Sequence, residues 1–169
     1  RYRLPPHLKE KKVVDDLKKQ IQMELENTTH VIITHFHGDH HPMVKADFSQ
    51  VDIHSVLPFL ERSEIFAKGK QGISRRQRFR LRALQRLLKK PPTVADGKMI
   101  GPFPFSEPVP HGECGSNAGA VIMVKVTDRN TTFVFGSDIQ LMDDGAIEII
   151  RLWKPDIAFM ARIEKVRMV

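Results

Sequence analysis

Residues 34–41 read Thr-His-Phe-His-Gly-Asp-His-His, and imidazole and carboxylate groups at this density are the ligands that Zn²⁺, Fe or Mn accept. In an extended backbone the alternation His35, Phe36, His37 puts two imidazoles on one side. Gly38 allows the sharp bend that would swing Asp39 and His40 towards a second position. Metal chemistry is therefore the first expectation.

A short strand must present this cluster, and Val31-Ile32-Ile33, a β-branched apolar run immediately before Thr34, predicts one. Upstream, Pro5-Pro6 places residues 1–7 in a loop. Val14, Leu17, Ile21 and Leu25 recur at helical spacing over 8–26, with Asn27 as a stop. Residues 53–66 read as mixed, with a strand at 63–67. Ser74 can cap a basic helix reaching about Lys89, with Phe79, Leu84, Leu87 and Leu88 forming its apolar side. Pro91-Pro92 closes that helix. Runs at 118–127 and 131–135, joined by Asp128-Arg129-Asn130, predict a hairpin. A helix over 144–153 and a strand over 156–160 complete an α/β alternation.

The 169 residues suit one domain, 1–169, and 41% apolar with 28% charged residues excludes general disorder. No apolar run approaches the ~18 residues of a membrane span, so no membrane partner is expected. Cys114 is the only cysteine, which excludes an internal disulfide framework and predicts a reducing, cytoplasmic setting. The net charge of +7 is local. Residues 62–90 hold eleven Lys and Arg against one acid, Glu64, whereas the rest of the chain holds 16 basic and 19 acidic residues. Two uses of that segment are open. Arg75 and Arg76 could bind phosphates of a phosphodiester or a nucleic acid by paired, charge-assisted hydrogen bonds. Alternatively, the segment is a solvated helix face whose arginine stems cover apolar surface. His41 is readable as a support for a ligand carboxylate or as a surface histidine.

The pattern His35-x-His37-x-Asp39-His40 after an apolar strand resembles the signature of the metallo-β-lactamase superfamily. The resemblance implies that His35 and His37 bind a first metal, and Asp39 and His40 a second. His111, in Val-Pro-His-Gly, resembles the next histidine of the first metal. Asp138, in Gly-Ser-Asp, resembles the carboxylate that bridges both. More narrowly, Leu4-Pro5-Pro6-His7, His40-His41, Ser74-Arg75-Arg76 and Val109-Pro110-His111-Gly112-Glu113 resemble a mainly archaeal branch of predicted metal-dependent hydrolases whose substrate is unassigned.

The fold so implied is α/β, a four-layer αββα sandwich holding two Zn²⁺ (or Fe or Mn) ions. The chemistry implied is a metal-bound hydroxide that cleaves an ester, thioester, amide or phosphodiester bond of a small molecule or nucleic acid, with Asp39 helping in proton transfer. Only 34 residues precede His35, and no histidine follows His111, where the superfamily has earlier strands and a last metal-2 histidine. The expectation is therefore an incomplete sandwich, truncated at both ends. The alternative from another class is a metal-binding or basic nucleic-acid interaction module without catalysis.

Overall fold

The computed structural model describes residues 5–115 and 117–161. Residues 1–4 of the expected loop, including Leu4 of the quoted motif, lie outside the described residues. The elements run α1 (Leu8–Glu26), β1 (His30–Ile33), α2 (Ile53–Leu60), β2 (Glu64–Ala67), α3 (Arg75–Leu87), β3 (Thr93–Val94), β4 (Met99–Ile100) and β5 (Phe103–Pro104). They continue with β6 (Val109–Pro110), β7 (Ala120–Val121), β8 (Val124–Asp128), β9 (Thr131–Ser137), α4 (Asp144–Trp153) and β10 (Ile157–Met160).

Two three-stranded sheets organise the chain. The first is parallel, in the order β1-β2-β3, with Ile33 opposite Ala67 and Phe66 opposite Thr93. The second runs β10-β9-β8, antiparallel between β8 and β9 and parallel between β9 and β10. Short pairs β4-β5 and β6-β7 flank them. The period of two along each strand sorts side chains to opposite faces. Ile33, Ile65 and Ala67 pack against Val56 and Leu60 of α2 and Leu81 and Leu84 of α3. Between them, Ile32 and Phe66 turn to the other face and meet Phe105, Ile122, Val124 and Phe135. A third cluster joins Val121, Met123 and Ile139 to Ala146, Ile149 and Trp153 of α4.

The helix ends follow local chemistry. His7 caps α1, and its Nδ1 accepts from the Lys9 N–H at 3.2 Å. Asn27 ends α1 as expected. Ser74 and Gln77 form a reciprocal capping box at α3, and Asp143 caps α4.

Three expectations change. Residues 53–60 form a helix, capped by Asp52 through the His54 N–H at 2.8 Å. Phe79 is 72% exposed and does not join the apolar side of α3. The buried residues there are Gln77, Leu81 and Leu84, followed by Leu88, and Phe79 lies two residues from Gln77, about 200° around the helix. The single strand expected over 118–127 is divided into β7 and β8. At the division Ser106 holds Met123, its Oγ accepting from the Met123 N–H at 2.8 Å.

Candidate metal centre

β1 carries Thr34 and His35 out of the first sheet. Phe36, fully buried, points back into the helix-side cluster, so its neighbours His35 and His37 turn the opposite way. The His40 N–H bonds the His37 carbonyl at 3.1 Å and tightens the loop after Gly38. β6 delivers His111, whose N–H bonds the Gly119 carbonyl at 2.9 Å. β9 delivers Asp138, and the buried Ile139 anchors the chain beyond it.

One ligand atom from each of His35, His37, His111 and Asp138 lies within 4.8 Å of all the others. Asp138 Oδ2 is the hub, 3.1 Å from His111 Nε2, 3.0 Å from His40 Nε2 and 3.6 Å from His35 Nε2. His37 Nδ1 lies 3.1 Å from His111 Nε2, so at most one of those two nitrogens carries the proton between them. His35 is fixed from behind. Its Nδ1 lies 3.4 Å from Thr34 Oγ1 and 3.3 Å from Ser137 Oγ, and those hydroxyls are 2.8 Å apart. Its Nε2 is buried and has no hydrogen-bond partner among the described residues.

Electrostatics favour free lone pairs. Burial, with His40 nearby, lowers the His35 pKa from 6.5 to about 3. Burial and His111 also lower that of His37. Burial alone would raise the Asp138 carboxyl, but its hydrogen bonds with His111 and His40 outweigh this and hold it well below the usual carboxylate range. His40 is raised, chiefly by its hydrogen bond to Asp138. His35 and His37 are thus biased towards neutral imidazoles beside an ionised Asp138, states that suit a divalent cation.

The sequence-predicted residues divide into groups. His35, His37, His111 and Asp138 converge, and His40 touches the same carboxylate. Asp39 stands at the rim with its side chain 73% exposed, 3.6 Å from His40. His41 is buried rather than on the surface, and its Nδ1 bonds the Pro42 carbonyl at 2.8 Å. Arg76 shares a cleft with His37 and Asp39, whereas Arg75 faces a separate depression with Arg78 and Phe79. Sequence reasoning missed Ser137, Thr34, Arg80 and Gln50. A signal existed for the first two, since Thr34 and Ser137 each immediately precede a candidate ligand at a strand end.

No family model matches the chain, and no solved structure matches it. It is 36% identical over 161 residues to a UPF0282 protein of Methanosarcina mazei, an alignment covering 95% of this chain and 53% of that protein. A UPF0282 protein of Pyrococcus abyssi is 34% identical over 166 residues, with 93% and 54% covered. One from Sulfolobus acidocaldarius is 34% identical over 151 residues, with 83% and 45% covered. The chain spans about half the length of these curated relatives. Over that span it is a homologue of the archaeal UPF0282 proteins.

Proposed function

We propose that the chain carries the metal centre of a metal-dependent hydrolase of the metallo-β-lactamase type. The observation that carries this reading is the buried His35 Nε2, aimed without a hydrogen-bond partner at a cluster of two further imidazoles and a carboxylate. Such an atom costs ~1–3 kcal/mol if left unsatisfied, and a cation is the partner its neutral, lone-pair-bearing state suits. The order of the apolar clusters, helix to sheet, sheet to sheet and sheet to helix, supports an αββα sandwich as the scaffold.

His35, His37 and His111 with Asp138 would hold the first ion. Asp39 and His40 with Asp138 offer donors for a second, one histidine short of the superfamily pattern. Zinc suits this ligand set best, with iron or manganese as alternatives. When bound, the ion supplies Lewis acidity and brings the ionisation of a water to near pH 7. The protein's part is to fix the ligands. Thr34 and Ser137 hold the His35 ring from its Nδ1 side, Asp138 stays anionic, and Asp39 at the rim would accept or return a proton.

The test combines elemental analysis with hydrolysis of phosphodiester, thioester and lactam substrates. At least one zinc per chain is expected. His37→Ala should lower the turnover by more than the roughly 10–100-fold that loss of an outer-shell partner costs. Unchanged hydrolysis in that variant would sink the mechanism.

A further inference from the structure

α3 brings two arginines, Arg76 and Arg80, to the loop that carries His37. They lie one turn apart on the same side of the helix. Both line a cleft of about 690 Å³ together with His37, Asp39 and Gln50. Arg80 is held in place, because its Nη1 donates to the Phe36 carbonyl at 2.8 Å. Its Nη2 lies 3.2 Å from the point where a Cβ on Gly38 would stand. From the loop before α2, Gln50 Oε1 accepts from the Asp47 N–H at 3.1 Å, and Gln50 Nε2 comes within 2.8 Å of that same point. Guanidinium and amide N–H groups thus converge on a glycine one residue from a candidate metal ligand, in a cradle that any side chain would fill.

These groups are donors and cannot accept. Asp39 is the one acid among the residues that line the cleft. A planar carboxylate matches a single guanidinium fork lying in its own plane. Donors arriving from two separate elements, a helix and a loop, suit a tetrahedral group, whose oxygens point in several directions. We infer that the cleft is a phosphoryl subsite, in which Arg76, Arg80 and Gln50 hold the non-bridging oxygens of a phosphate ester beside the histidine cluster. The fate of that ester rests on the hydrolase reading, whereas its binding does not.

Two measurements separate the ideas. Inorganic phosphate titrated into the purified chain by calorimetry should bind saturably. Its affinity should drop on the order of tenfold in Arg76→Ala and hold in Arg78→Ala, which faces away from the cleft. Absence of saturable binding, or equal loss in both variants, overturns the subsite. With zinc present, the preference for bis(4-nitrophenyl) phosphate over uncharged 4-nitrophenyl acetate should also fall on the order of tenfold in Arg76→Ala. An unchanged preference overturns the subsite and leaves the hydrolase standing. Phosphate binding that depends on Arg76, with no turnover of either compound, supports the subsite and removes the hydrolase.

Discussion

Ser137 adopts φ 57°, in the left-handed region that L side chains rarely enter, and it is buried beside the candidate ligand it precedes. Its hydroxyl explains why serine is useful there, since it approaches both Thr34 and His35. Backbone strain and ligand orientation are therefore separable at this residue. Ser137→Ala keeps the strain and loses the hydroxyl. Ser137→Gly loses the hydroxyl but relieves the strain, which is worth about 1 kcal/mol. Both variants should bind zinc roughly 10–100-fold more weakly in chelator competition. In thermal melts of the metal-free protein, the glycine variant should be the more stable of the two. Full zinc affinity in both would remove Ser137 from the ligand support.

At the scale of elements, what aims the cleft is a buried ion pair between neighbouring strand ends. Lys68, just past β2, is 1% exposed. Its Nζ reaches Asp96 Oδ2 at 2.8 Å and the Gln71 carbonyl at 2.6 Å, while Asp96 Oδ1 accepts from the Gly69 N–H at 2.7 Å. This staple fixes the turn that leads to Ser74 and α3. Gln77 then ties α3 to the segment after His111, donating to the Ala118 carbonyl at 3.1 Å. Asp96→Ala leaves the Lys68 ammonium buried and uncompensated, and burial already pushes its pKa down. A loss of about 3–5 kcal/mol is expected from the urea midpoint. Replacing both partners by apolar residues should cost less, and an Asp96→Ala midpoint equal to wild type would dismiss the staple.

The sequence showed much of this level and missed a specific part of it. α1, α4 and the β8-β9 hairpin are local patterns, written in caps, periodicity and a turn; the expected helix bounds hold and the hairpin turns where expected, although its first strand starts only at Val124. The convergence of His111 and Asp138 on the His35 loop was legible only through the resemblance, because spacing along the chain carries no distance. Phe79 was misplaced because apolar type was read without its angle around the helix. Lys68 and Asp96 gave no signal, since a charged residue is ordinarily read as exposed. Arg76 was found among the arginines, but its partner Arg80 required the path of Phe36 and Gly38.

At the scale of the whole molecule, the cluster taxes acid stability. His35 titrates at about 3, through burial and then His40, and His41 at about 4, chiefly through burial, against an ordinary 6.5. Both values are depressed, so below pH 6.5 the unfolded chain takes up protons that the folded chain refuses. Stability is full above that pH and is lost progressively towards pH 4 and 3. Each histidine costs about 2 kcal/mol by pH 5. His40, whose pKa is raised by Asp138, acts in the opposite sense and offsets part of this. The metal-free protein should therefore show a lower urea midpoint at pH 5 than at pH 7.5, and a higher one would contradict the assignment.

Thr34 and Ser137 meet across 103 residues of chain, one at the end of each sheet, so the candidate cluster exists only when both sheets are in place. Neither sheet holds the whole cluster: His35 and His37 leave the first, Asp138 leaves the second, and His111 comes from a separate hairpin. A partly synthesised chain, or one whose strands have slipped by a residue and so reversed their faces, displays histidines without a complete ligand set. On the proposed reading, metal binding would belong only to molecules that have finished assembling, and a misassembled copy would lack it with every candidate ligand still in its sequence.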